Sequence, residues 1–126
     1  MPAQNSKPKI ILVVDDEPAI VQLMKSQLEF EGYAVMTASN GADAIETAKN
    51  ASIDVVLLDL GLPDMDGFEV LNKIKFFKPN LPIVIVTGNH QESEGRRAFE
   101  LGAWDYVTKP VDFKYLKNIL LIQDQE

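Results

Sequence analysis

Ile53-Asp54-Val55-Val56-Leu57-Leu58-Asp59-Leu60-Gly61 is the stretch on which the fold turns. The run Ile53–Leu58 reads as a strand covered on both faces, which is how strands of a parallel sheet are written. Asp59 stands where that strand ends. Three further apolar runs end in the same manner. Ile10–Val14 leads into Asp15-Asp16-Glu17, Ile83–Val86 into Thr87, and Tyr106–Val107 into the Lys109-Pro110 pair. In open parallel α/β sheets, ligands bind at the carboxyl ends of the strands. Three carboxylates (Asp15, Asp16, Asp59), one hydroxyl (Thr87) and one ammonium (Lys109) at a single edge suit a divalent cation together with a phosphoryl group.

Between these strands the pattern turns helical. Pro18 suits the first turn of a helix running to about Phe30, with Ile20, Val21, Met24 and Leu28 on one face and Gly32 as its stop. Tyr33–Thr37 alternates like a strand. Asn40 can cap a helix over Gly41–Lys49. Gly67–Lys75 is predicted helical, with Val70, Leu71 and Ile74 facing inward. Pro79 and Pro82 bracket a turn before Ile83. A helix over Glu92–Leu101 should end at Gly102, Trp104–Thr108 forms the fifth strand, and Asp112 caps a last helix through about Ile122, with Phe113, Leu116, Ile119 and Leu120 inward. Five strand–helix units in 126 residues predict a doubly wound parallel sheet with helices on both faces.

Composition narrows the function classes. The net charge of −7 opposes a nucleic-acid footprint, which needs clustered Lys and Arg. Without cysteine there is no disulfide, thiolate metal site or thiol catalysis. No apolar run reaches the roughly 18 residues of a membrane span, and Met1–Lys9 lacks the apolar core of a signal peptide. The expectation is a cytoplasmic protein that binds neither membrane nor nucleic acid directly.

Each site residue also has a plainer reading. Acids after strand one can serve a helix N-terminus. Asp59 can be a metal ligand, a nucleophile or a cap. Thr87, followed by Gly88, can be an ordinary strand-end residue. Lys109 can be a solvated surface charge. The coincidence of all four at matching strand ends favours a shared site. His90, the single histidine, reads as a solvated loop residue, and Lys73, Lys75 and Lys78 beside Phe76-Phe77 as a solvated helix end.

Val13-Val14-Asp15-Asp16-Glu17, Leu57-Leu58-Asp59-Leu60-Gly61-Leu62-Pro63-Asp64-Met65-Asp66-Gly67, Val86-Thr87-Gly88 and Asp105-Tyr106-Val107-Thr108-Lys109-Pro110 together resemble the receiver domain of two-component response regulators. The likeness runs from about Lys9 to Ile122. It implies a flavodoxin-like (βα)5 fold with strand order 2-1-3-4-5. It implies a phosphoryl group received on Asp59 from a sensor histidine kinase or histidine phosphotransfer protein. Asp16, Asp59 and the Gly61 carbonyl would hold Mg2+, with Asp15 acting through water. Thr87 and Lys109 would bind the phosphoryl oxygens, Tyr106 would be the aromatic switch, and Lys109–Pro110 would be cis. The positions of Gly61 and Asn89 would tune how fast the acyl phosphate hydrolyses. The protein would then be a phosphoacceptor rather than an enzyme, signalling to a downstream effector. Residues 1–126 read as one receiver domain, with tails at 1–9 and 123–126. No output module is readable after Ile122, so the chain reads as a single-domain regulator or as a receiver from a longer protein.

Rival chemistries fit less well. A haloacid-dehalogenase-type phosphohydrolase needs a second Asp two residues past its nucleophile, where this chain has Gly61. A nucleotide or flavin site needs a Gly-rich phosphate cradle, whereas the turn after strand one is Asp15-Asp16-Glu17-Pro18. A receiver that only mediates binding would not need every one of these polar residues.

Overall fold

The computed structural model describes residues 8–88 and 92–124. The expectations for residues 1–7, for Asn89 and His90, and for 125–126 lie outside the described residues. Five strands alternate with five helices: β1 (Ile10–Val14), α1 (Pro18–Phe30), β2 (Ala34–Ala38), α2 (Gly41–Asn50), β3 (Val55–Leu58), α3 (Gly67–Phe77), β4 (Ile83–Thr87), α4 (Glu92–Glu100), β5 (Asp105–Thr108) and α5 (Phe113–Asp124). All pairings are parallel and the sheet order is β2-β1-β3-β4-β5. This is the expected flavodoxin-like (βα)5 topology.

The continuous apolar runs are explained by the two-sided burial. Leu12, Val14, Val56, Leu58, Ile83 and Ile85 point to one face, against buried residues of α2, α3 and α4 such as Ala44, Leu71 and Ala98. Ile11, Val13, Val55, Leu57, Val84 and Val86 point to the other, against Met24 and Leu28 of α1 and Leu116, Ile119 and Leu120 of α5. Alternate residues of each strand thus serve opposite layers, as the period of two requires.

Helix boundaries follow local chemistry. Pro18 opens α1. The Asn40 side chain accepts from the Asp43 N–H at 2.8 Å and caps α2. Gly32 (φ 99°) and Gly102 (φ 101°) adopt left-handed backbone after α1 and α4. The Tyr33 N–H reaches back to the Leu28 carbonyl and the Ala103 N–H to the Ala98 carbonyl, so both stops are Schellman turns. Asp112 caps α5, accepting from the Lys114 N–H at 3.0 Å.

The differences from the sequence reading are instructive. β3 begins at Val55, not Ile53, because Asp54 is polar and its carboxylate accepts the Ile10 N–H at 2.7 Å. β2 is Ala34–Ala38, one residue later than expected. The Lys9 carbonyl accepts the Ala34 N–H at 2.9 Å, so Lys9 already joins the sheet and does not belong to a loose tail. β5 starts at Asp105 and excludes Trp104. α3 continues to Phe77, and α5 to Asp124, past Ile122. Thr87 is itself the last residue of β4.

Candidate functional site

The carboxyl edge of the sheet is built one ladder bond at a time. The Asp15 N–H donates to the Ala38 carbonyl at 3.1 Å, and the Asp59 N–H to the Val14 carbonyl at 3.0 Å. The Lys109 N–H donates to the Thr87 carbonyl at 2.8 Å. Asp15, Asp59 and Lys109 therefore each extend a strand directly, Thr87 closes β4, and the Cα positions of all four are set by the sheet. Asp15, Asp59 and Thr87 are the buried polar residues of the described chain, at 4%, 6% and 4% exposure.

The side chains then converge. Lys109 Nζ lies 2.7 Å from Asp15 Oδ2, 3.0 Å from Asp59 Oδ2 and 3.2 Å from Glu17 Oε1. The second oxygens are also engaged: Asp15 Oδ1 accepts the Glu17 N–H at 2.9 Å, and Asp59 Oδ1 accepts the Gly61 N–H at 3.0 Å. Burial alone would discharge the Lys109 ammonium, but bonds from Asp15 and Asp59 outweigh it and raise its pKa. Asp15 is pulled the other way. Burial, joined by the nearby charge of Asp59, raises its pKa more than the bonds from Lys109 and Glu17 lower it. Two like charges in a sheltered site strain each other unless a cation lies between them.

Among the described residues, the carboxylates of Asp15, Glu17 and Asp59 have oxygens all within 4.8 Å of one another. Three ionised carboxylates less one ammonium leave −2, and Asp16 next in the loop adds to that. An all-oxygen, doubly negative donor set fits a hard divalent cation such as Mg2+, which retains several waters. Asp16 is exposed and stands outside the grouping. Glu17 stands inside it, although the sequence reading left it out of the ligand set. Its proximity comes from the Asx-type turn in which Asp15 caps the Glu17 N–H, a pattern that i, i+2 spacing after a strand hints at.

The loop after β3 is held firmly. Gly61 bridges to Asp66, the Gly67 N–H donates to the Leu60 carbonyl at 3.1 Å, and Asp66 caps α3 through the Phe68 N–H at 2.8 Å. Asp64 reaches across to α2, accepting the Gly41 N–H at 2.7 Å and the Ala42 N–H at 3.0 Å. Those backbone bonds lower its pKa. Beside this loop a depression of about 580 Å3 opens between Gly61, Thr87 and the α4 residues Glu94 and Arg97. The Arg97 guanidinium sits 4.3 Å above the Phe68 ring.

Tyr106 is half-buried on β5. Its ring lies about 4.0 Å from where a side-chain carbon of Gly95 would sit, so it packs against α4. Burial raises its phenol pKa, and the Glu94 carboxylate adds to the effect. The Lys109–Pro110 bond is cis, as expected. On the α4–β5–α5 face, Phe99, Trp104 and Tyr115 are all exposed.

The sequence profile of the response regulator receiver domain matches residues 11–121, nearly the whole chain. The chain belongs to the response regulator receiver family. It is 44% identical over 102 residues to the alkaline phosphatase synthesis transcriptional regulatory protein PhoP of Bacillus subtilis, covering 81% of this chain and 42% of that protein. It spans under half the length of this and other curated transcriptional regulators it matches. Among solved structures it is similar to a CheY-like receiver domain from Methanospirillum hungatei (34% identity, TM-score 0.88, covering 94% of this chain and 95% of that one). It also resembles the Thermotoga maritima response regulator TrrA in complex with Mg(2+)-BeF (35% identity, TM-score 0.84, covering 91% and 98%). The chain is thus a receiver of two-component signalling, a class that takes phosphoryl groups from histidine kinases. No helix among the described residues is long and apolar enough to cross a membrane.

Proposed function

We propose that Asp59 is the phosphoacceptor of this receiver and that Lys109 and Thr87 hold the phosphoryl oxygens. The observation that carries this reading is the Lys109 ammonium seated between Asp15 and Asp59 at 2.7 and 3.0 Å, at a sheltered sheet edge. A carboxylate oxygen of Asp59 attacks the phosphorus of a phosphohistidine on the donor protein. The new O–P bond makes a mixed anhydride, the P–N bond breaks, and the departing imidazole keeps its electron pair. The protein's work is positioning and charge neutralisation, since a phosphoryl group in flight asks for little covalent help. Lys109 supplies a fixed positive charge, and the Gly61 N–H orients the acceptor carboxylate.

Asp15, Asp16, Asp59 and the Gly61 carbonyl would hold Mg2+, with Glu17 close enough to assist. When bound, the ion offsets negative charge on the transferring group. Water later cleaves the anhydride slowly, so the chain is a self-acting acceptor and not a turnover enzyme. The partners are a sensor histidine kinase or phosphotransfer protein upstream and an effector domain or protein downstream, in the cytoplasm.

Phosphorylation adds about −1.5 to −2 charge next to buried acids. Thr87 moves toward the new oxygens, Tyr106 follows into the space behind it, and the α4–β5–α5 face changes. A local charge event thereby biases a two-state element. Incubation with acetyl phosphate tests the reading. Mg2+-dependent label that is lost in strong acid and in base, and is absent from Asp59→Asn, is expected; Mg2+-independent label would count against the metal assignment.

A further inference from the structure

A second surface lies on α2 and α3, away from the phosphoryl site. A groove of about 450 Å3 runs between these helices, lined by Ile45, Lys49, Lys73, Lys75, Phe76 and Phe77 among others. α3 turns Val70, Leu71 and Ile74 to the core, and Phe77 packs against the same layer. Phe76 falls on the opposite side and is 89% exposed, more than any other large apolar side chain of the described residues. A lone exposed apolar residue needs no explanation. This one stands beside Ile45 and Phe77 in a concave site, which a lone residue does not.

The charge of the groove is inverted relative to the molecule. The chain carries 19 acids against 12 Lys and Arg, yet the charged residues lining this groove are three lysines and no acid. Lys75 is committed inward: its ammonium donates to the Leu81 carbonyl at 3.1 Å, and burial lowers its pKa. Its alkyl stem serves as apolar wall. Lys73 pairs with Glu69 at 3.4 Å, but both side chains are about half exposed, so that pair is weak and exchangeable. Lys49 makes no hydrogen bond or ion pair with the described residues. Lys49, and Lys73 by exchanging its exposed pair with Glu69, can therefore meet a partner in the same groove as the apolar anchor point.

We infer that the α2–α3 groove docks a short acidic segment of a partner protein, one apolar side chain settling beside Phe76 and Ile45 while flanking carboxylates meet Lys49 and Lys73. A nucleic acid fits poorly, because two available lysines cannot track a phosphate backbone against a net charge of −7. A second copy fits poorly too, because two such chains repel each other over their whole surfaces. The inference does not depend on phosphorylation of Asp59.

The probe is a short fluorescein-labelled peptide of glutamates flanking two phenylalanines, followed by fluorescence anisotropy and amide NMR shifts. Three control peptides replace Glu by Lys, replace Phe by Ser, or do both. Saturable binding is expected, centred on Ile45, Lys49 and Phe76 and weakening with salt. Phe76→Ser and the double variant Lys49→Glu with Lys73→Glu should each weaken it by about tenfold or more, at unchanged melting temperature. Asp59→Asn should bind like the parent, which separates this inference from the phosphoacceptor reading. Absence of binding, equal binding by the Phe76→Ser variant, or preference for the lysine peptide would overturn it. So would self-association of the parent in sedimentation that Phe76→Ser abolishes, since the groove would then belong to a second copy.

Discussion

The Lys109 N–H donates to the Thr87 carbonyl at 2.8 Å, and this bond continues the β4–β5 ladder one step past Thr108. The strand ends that present the hydroxyl and the ammonium are thus a single unit. On the same β5, Tyr106 pairs in register with Ile85 of β4 and packs against α4. A shift of Thr87 has a short, continuous route to that helix.

The first prediction follows from that route. Beryllofluoride with Mg2+ should move amide NMR signals across α4, β5 and α5 as well as around Asp59. Reversing a population from mostly inactive to mostly active takes about 5.5 kcal/mol of differential stabilisation, within reach of charge-assisted hydrogen bonds in a sheltered site. Thr87→Ala should still bind the mimic but show much smaller shifts on α4 and α5. Shifts confined to the loops around Asp59 in the parent would leave the coupling unsupported.

Lys109→Met leaves Asp15 and Asp59, both nearly buried, facing each other without an ammonium. Breaking a buried ion pair costs several kcal/mol, and the solvent-facing side of this site brings the expected loss to about 2 kcal/mol at pH 7. Urea titration measures it. The Lys109 pKa is raised, so its contribution is complete below its ordinary 10.5 and declines only as pH climbs through the folded value. Labelling of the variant by a phosphodonor should slow by about 100-fold. An unchanged urea midpoint would contradict the ion-pair role.

The metal reading predicts a stability response. Free Mg2+ at ten times its dissociation constant should stabilise the fold by about 1.4 kcal/mol, or about 5 °C in melting temperature for a domain of this size. Asp16 is exposed, so Asp16→Ala should fold normally and lose most of that response. Differential scanning fluorimetry with and without Mg2+ reads both. If Glu17→Gln, and not Asp16→Ala, removed the response, the donor set would be Asp15, Glu17 and Asp59.

Three of the site residues were legible in the sequence for a simple reason. Asp15, Asp59 and Lys109 directly follow strands whose ends all face one edge in a parallel sheet, so an apolar run that stops is enough to locate them. Thr87 was equally visible, although it proved to close its strand. The β3 boundary was misjudged because Asp54 sits inside an apolar run and its role depends on Ile10, a residue 44 positions away. Glu17 was missed because its approach to Lys109 depends on the turn in which Asp15 accepts the Glu17 N–H, a weaker signal than strand or helix periodicity. The Asp64 contact with α2 spans 23 residues and has no local signal.

That contact supplies a pH prediction. The Asp64 pKa is lowered from 3.8 by the N–H groups of Gly41 and Ala42. A depressed carboxylate stabilises the fold above its unfolded pKa, and the contribution vanishes as pH falls through the folded value. The melting-temperature gap between the parent and Asp64→Ala should therefore hold steady from neutral pH to about pH 4 and close at lower pH. A gap that widened in acid would show the opposite linkage.

Chemical trapping of the phosphorylated residue tests the central claim most directly. Borohydride reduces an acyl phosphate of aspartate to homoserine, which peptide mass mapping locates. After acetyl phosphate and Mg2+, the account predicts homoserine at position 59 and at no other acidic residue, with Asp59→Asn yielding none. Homoserine at Asp15 or Asp16, or label retained by Asp59→Asn, would contradict it.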